Sequence, residues 1–265
     1  MRNFAVLFWA MIILTAPALC HAGVVVDEQE VISQPGANNI TRNRTVMIEG
    51  DKQKSILYNG KRTIITDLGK GTMTVMDGSR KTYVEVPFPP KSGPSGSMDK
   101  SAPSTIIFKK TGAHQNIIGY SCDVYSGSGT AGRNTASVTG CFSDSVPGAT
   151  DYNNFQHEMA DKVKGTPMAN TSENPPGVPL TLSTTITFGQ VPPGLPAERA
   201  ARLKELLARN QFVTSTTLTR IRASSLPAAS FQVPPDYQKQ QPRPNVGGAS
   251  TGGSTKTPSA QKVPK

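Results

Sequence analysis

The chain has little histidine, cysteine, tryptophan or acid. Three histidines occur among 265 residues, and His21 falls in the N-terminal leader described below. His114 and His157 are then the only imidazoles left to act as general bases, so histidine-driven acid–base chemistry is poorly served. Three cysteines are too few for a cysteine-rich zinc module, and none stands in a Cys-x-x-Cys pair, which argues against a redox dithiol. The first apolar run, residues 4–14, is 11 residues long, whereas a membrane span needs about 20. Asp and Glu number 18 against 28 Lys and Arg, giving a net charge of +10. The excess is spread along the chain without aromatic-flanked basic clusters, which speaks against nucleic acid as a partner.

What is present begins with an export leader. Arg2 gives a positive n-region, residues 4–14 (FAVLFWAMIIL) an apolar h-region, and Cys20-His21-Ala22 a small-x-small cleavage site before Gly23. Pro17 interrupts the run. An uncleaved anchor is the competing reading, and a lipidated Cys20 a third, opposed by Leu19 where a small residue is usual. Cleavage after Cys20 also fits. A periplasmic destination is expected, with an extracellular one as the alternative. Export leaves Cys122 and Cys141, and an isolated pair in an oxidising compartment reads as a disulfide.

The mature chain reads as one β-rich domain, residues 23–237, followed by a disordered basic tail, 238–265. Strand-like segments are expected at 23–32, 45–49, 55–58, 63–68, 72–76 and 82–86. Between them lie Gly50-Asp51, Asn59-Gly60, Gly69-Lys70-Gly71 and Asp77-Gly78, the dipeptides that favour tight hairpins. This spacing predicts an antiparallel meander. Residues 87–103 (PFPPKSGPSGSMDKSAP) form a flexible loop. Strands resume at 104–109, 119–125 and 137–142, with His114 in a loop and 127–134 as a turn. Tyr152, Phe155, Met159 and Val163 recur at helical spacing over 151–164. Pro196 opens a second helix over 197–210, with Ala200, Leu203, Leu206 and Leu207 on one face. Strands at 180–189 and 212–223 complete an α+β fold, mostly antiparallel β.

Three motif matches lack the context their chemistry needs. Gly127-Ser-Gly-Thr-Ala-Gly132 fits a dinucleotide fingerprint but leads into a strand, not a helix, and reads as a hairpin loop. His157-Glu158-Met-Ala-Asp161 puts a histidine and a carboxylate on one helix face without a clear third ligand, so neither metal nor cofactor is expected. Ser97-Met-Asp-Lys100 matches S-x-x-K, yet it lies in the flexible loop and its partner motifs are not suitably placed. Asn39, Asn43 and Asn170 head N-x-[ST] triplets, which matter only in a glycosylating host.

Two regions carry a resemblance. Residues 56–86 (ILYNGKRTIITDLGKGTMTVMDGSRKTYVEV) form hairpins ending in a strand bearing Tyr83. Gly119-Tyr120-Ser121-Cys122 and Phe231-Gln232-Val233-Pro234-Pro235-Asp236-Tyr237 follow. Together they resemble an uncharacterised family of exported bacterial proteins related in shape to the LolA-like, lipoprotein-carrier half-barrels. The resemblance implies a curved half-barrel sheet with two or so helices on its concave side, enclosing an apolar cavity. Met73, Val75, Phe155, Met159, Leu203 and Leu206 then either line that cavity or simply fill the core, as apolar residues at helical spacing commonly do.

The function expected is non-enzymatic binding or carriage of an apolar ligand: a lipid, an acyl chain or a lipoprotein. The alternative is an envelope protein acting through a sheet edge or its basic tail, against another envelope protein or an anionic surface. A hydrolase is the third class, set back by the shortage of bases.

Overall fold

The structure is a computed structural model and describes residues 23–89, 106–131, 134–164, 175–189, 194–209 and 211–241. The leader, the S-x-x-K segment and Asn170 lie outside the described residues, as does the tail beyond Gln241.

Short alternating segments joined by tight turns produce one large sheet. In chain order its strands are β1 (Val24–Ser33), β2 (Ile40–Glu49), β3 (Lys52–Leu57), β4 (Arg62–Asp67), β5 (Thr72–Asp77), β6 (Thr82–Pro87), β7 (Ile107–Ile117), β8 (Tyr120–Ala131), β9 (Asn134–Ser143), β10 (Val178–Thr187), β11 (Gln211–Ala223) and β12 (Gln238–Lys239). The order across the sheet is β12-β6-β5-β4-β3-β2-β1-β11-β10-β9-β8-β7. Every pairing is antiparallel except β12 against β6. The sheet is curled and unclosed, and two helices, α1 (Ala149–Val163) and α2 (Ala197–Ala208), accompany it.

The core forms around β1 and α1. Val24, Val25 and Val26 are all buried, the signature of a strand covered on both faces. On one face, Val24, Val26, Val46 and Ile48 join Phe155 of α1 in a buried cluster with Leu68, Cys122, Val124, Cys141, Val178, Leu180, Leu218 and Ile221. Phe155 is 1% exposed, and burying such a side chain contributes roughly 1.5–3 kcal/mol. Helix α1 lies against β1, β2 and β10. Its entry is set by Gly148, whose φ of 77° lies in the left-handed region and where a Cβ would come within 2.7 Å of Val24 Cβ.

The C-terminal segment straps the meander. Glu49 Oε2 accepts from both Gly23 N and Leu226 N, each at 3.1 Å. Lys54 Nζ donates to Ser230 O at 2.9 Å in the 3₁₀ turn Ala228–Phe231. Gln238 N then donates to Lys81 O and Gln240 N to Tyr83 O, closing β12 onto the edge strand β6. The Phe231–Tyr237 stretch of the sequence motif therefore belongs to this strap. Cys122 and Cys141 form the expected disulfide between β8 and β9, both buried.

Several sequence boundaries shift. Gln238 and Lys239, counted with the tail from the sequence, pair with Thr82 and Tyr83. The loop expected around His114 is part of β7. Its polar residues give no apolar alternation, but an exposed edge strand needs none, and the ladder to β8 supplies the order. The glycine-rich 127–132 match is largely strand, with the ladder running to Ala131 opposite Asn134. Gly127 accommodates a close neighbour there, since an added Cβ would lie 2.8 Å from Ile106 Cγ2.

Candidate functional site

The regular ten-residue spacing of the meander returns alternate hairpin loops to the same end of the sheet. The β3–β4 loop (58–61) and the β5–β6 loop (78–81) meet there, with Gly78 N donating to Lys61 O at 2.8 Å. Tyr58, Asn59 and Gly60 all take positive φ, which the Asn-Gly pair tolerates and which turns the chain sharply.

Between these loops and β5–β6 lies a cleft of about 440 Å³, within the roughly 300–1,000 Å³ of small-ligand sites. Val75 and Val84 give it an apolar floor, Tyr58 an aromatic wall, and Lys61, Arg62 and Arg80 a cationic rim with Asp77, while Met76 and Tyr83, which also border it, pair on the opposite face of the sheet. Register explains the layering. Val26, Val46, Ser55, Ile64, Val75 and Val84 stand in one cross-strand row, and Glu28, Arg44, Leu57, Arg62, Asp77 and Thr82 in the next row on the same face. An apolar row thus gives way to a charged one at the mouth.

The charges at this end are mostly committed. Asp77 Oδ1 accepts from Ser79 N, Ser79 Oγ and Arg80 N, and Oδ2 from Arg80 Nε at 2.6 Å. The Ser79 hydroxyl, then Arg80, hold its carboxyl down at about 2. Arg42 lies over the Tyr58 ring at 5.0 Å and donates to its hydroxyl at 3.3 Å. Lys81 pairs with Asp236 at 2.5 Å and stacks on Tyr237, and Lys239 pairs with Glu85. Lys61 and Arg62 form no ion pair among the described residues, although Arg62 stands across from Asp77, and both are exposed.

Deeper on the same face, Arg44 Nε donates to Glu28 Oε2 at 2.6 Å, forming an ion pair over a carboxylate that is 6% exposed. Tyr152 of α1 packs against the buried cluster. Burial, with the Glu28 charge added, pushes its phenol well above the usual range.

The six residues proposed from sequence separate. Phe155 is in the buried cluster, and Met159 and Met73 pack against it. Val75 lines the cleft. Leu203 is half-buried and Leu206 is 55% exposed on α2, which makes no extensive contact with any strand among the described residues. Leu207, in the same helix, comes close to Gly189, where an added Cβ would lie 3.0 Å from Leu207 Cδ2. Sequence reading missed Tyr58, Lys61, Arg62, Arg80, Tyr83 and Val84. The available signal was the period itself, since loops 20 residues apart in a ten-residue meander share an end. His157 and Asp161 are exposed on α1, and no cluster of three or more His, Cys, Asp or Glu side chains forms among the described residues.

Residues 37–173 match the family model described as a domain of unknown function, DUF4412. The chain belongs to the DUF4412 family. The matched span runs from just before β2 through α1, and so takes in the cleft lining except Gln240, the disulfide and the first helix of this DUF4412 member. No curated protein matches its sequence. Among solved structures it is similar to an uncharacterised conserved protein from Thermus thermophilus, at 7% identity over 84% of this chain and 91% of that one, with a TM-score of 0.42. It is also similar to a LolA superfamily protein from Nitrosomonas europaea, at 8% identity over 80% and 90%, with a TM-score of 0.30. A third is a putative outer membrane lipoprotein-sorting protein domain from Vibrio parahaemolyticus, at 10% identity over 80% and 90%, with a TM-score of 0.31.

Proposed function

We propose that this protein is a non-enzymatic, periplasmic binding or carrier protein for an apolar ligand such as a lipid, an acyl chain or a lipoprotein. In this reading the sheet is a half-barrel, α1 plugs one end of its concave side, and the apolar face continues past the plug as the binding cleft. The observation that carries it is on β5. Met73 packs against the buried cluster, whereas Val75, two residues on and on the same face, lines an open cleft with Val84. Apolar burial there supplies affinity at roughly 25 cal/mol per Å² before the costs of binding.

The test is a titration of the purified full-length protein with an environment-sensitive apolar dye, together with mass spectrometry of co-purified lipid. Saturable dye binding that Val75→Asp abolishes, with the circular dichroism spectrum retained, is the expected result. Absence of saturable binding by the wild-type protein would sink the proposal. The sheet-edge alternative draws less support, because β7 carries Lys109, Lys110 and a bulge between Lys110 and His114, features that blunt edge pairing.

A further inference from the structure

We infer that the ligand is a single-chain amphiphile with an anionic head group, a carboxylate or a phosphate, held at the cleft mouth by Lys61 and Arg62. This rests on the carrier reading and specifies the ligand class for the same cleft. Three cations and one carboxylate line the site. Arg80 is neutralised by Asp77, whose two oxygens are occupied by Ser79 and Arg80. Lys81, the remaining cation of the two loops, is drawn away to Asp236 and Tyr237 of the strap. Arg62 stands directly across from Asp77, but the Asp77 oxygens are taken up by Ser79 and Arg80, and neither Lys61 nor Arg62 forms an ion pair among the described residues, so the net positive charge of the site falls on these two, Lys61 ending the β3–β4 loop and Arg62 opening β4. Arg62 stands on the face that carries Val75 and Val84, one cross-strand row nearer the mouth. An extended ligand with its chain over Val75 and Val84 would bring its head to Arg62 and Lys61. A guanidinium takes a planar two-oxygen head bidentately, and an ammonium adds a point charge. A neutral lipid would leave both cations unanswered, so the site selects by charge at the rim and by apolarity at the floor.

The experiment displaces a neutral apolar dye from the full-length protein, below micelle-forming concentrations. The competitors are a long-chain fatty acid, an alkyl phosphate and the alcohol of equal chain length. The wild type should bind the acid and the phosphate about tenfold more tightly than the alcohol, and the gap should shrink as salt screens the rim. Lys61→Gln with Arg62→Gln, both at exposed positions, should bind all three at the alcohol's level. Val75→Asp should lose all three, and Val84→Asp is run beside it so that a folding failure of one leaves the other to decide. Equal affinity for acid and alcohol overturns the head-group assignment and leaves the carrier reading standing. No binding of dye or any competitor overturns both. Dye displacement by inorganic phosphate alone makes this a bare anion site, and binding only to anionic phosphatidylglycerol vesicles makes it a membrane-docking face. Either result overturns the inference.

Discussion

Met73 and Val75 occupy the same face of β5, yet Met73 packs against the buried cluster and Val75 opens onto the cleft. Their substitutions should therefore separate stability from binding. Met73→Ala is expected to cost about 1–2 kcal/mol, below the usual large-to-small range because the side chain is only partly buried. Val75→Ser should cost less than about 1 kcal/mol and weaken apolar-dye affinity several-fold. Urea unfolding and dye titration on the same samples check both. Equal effects on stability would deny the boundary between filled and open face.

Gly148 sets how closely α1 can approach β1. Gly148→Ala places a Cβ at φ 77° and 2.7 Å from Val24 Cβ, so a loss of about 1–3 kcal/mol is expected. If the contact with Val24 contributes, Val24→Ala should recover part of that loss in a double-mutant cycle. Because alanine keeps the Val24 Cβ and removes only Cγ2, which would lie 2.9 Å from the new Cβ, strict additivity would leave the backbone conformation and the Cβ contact as the causes.

The Cys122–Cys141 bridge closes a loop of sequence separation 19 between neighbouring strands. Replacing both cysteines by alanine should lower stability by about 3 kcal/mol in the chain-entropy account. Thermal melts under oxidising and reducing conditions should differ for the wild type and coincide for the double variant.

Arg44 answers the buried carboxylate of Glu28. Arg44→Met strands that acceptor, and a cost of about 2 kcal/mol is expected, tempered because the Arg44 side chain is 44% exposed. Glu28→Gln in the same background should restore most of it. Denaturant melts of the two single variants and the double variant read this directly.

Asp77 carries the pH dependence of the β5–β6 loop. Its folded value, about 2, lies below the unfolded 3.8, so its contribution is complete above pH 3.8 and lost as pH falls through about 2. Asp77→Asn should destabilise the loop at neutral pH, and the difference from wild type should vanish toward pH 2. Carboxyl-carbon NMR titration of Asp77 follows the same group. A midpoint near 4 would contradict the hydrogen bonds to Ser79 and Arg80.

The meander was legible because its signals are local. Asn59-Gly60 and Asp77-Gly78 dictate tight turns through backbone preference, and β-branched alternation fixes the strands between them. Helices α1 and α2 were equally visible in the 3.6-residue spacing of Tyr152, Phe155 and Met159, and of Ala200, Leu203 and Leu207. The disulfide followed from the pairing of two remaining cysteines. The extent of β7 and the end of β8 were not legible, because polar and glycine-rich residues acquire strand geometry there from the neighbouring ladder.

By itself, then, the sequence determined the hairpin strands of the meander, the two helices and which two cysteines meet, since short-range sterics and periodicity decide these. Only the tertiary structure decided what surrounds each apolar face. Met73 and Val75 look alike along the chain, and their fates part because the packed cluster reaches one and not the other. The cationic rim arose the same way. Lys61 and Arg62 meet Arg80 because two loops share an end, and they are left without an ion pair among the described residues because Asp77 and Asp236 bond to Arg80 and Lys81.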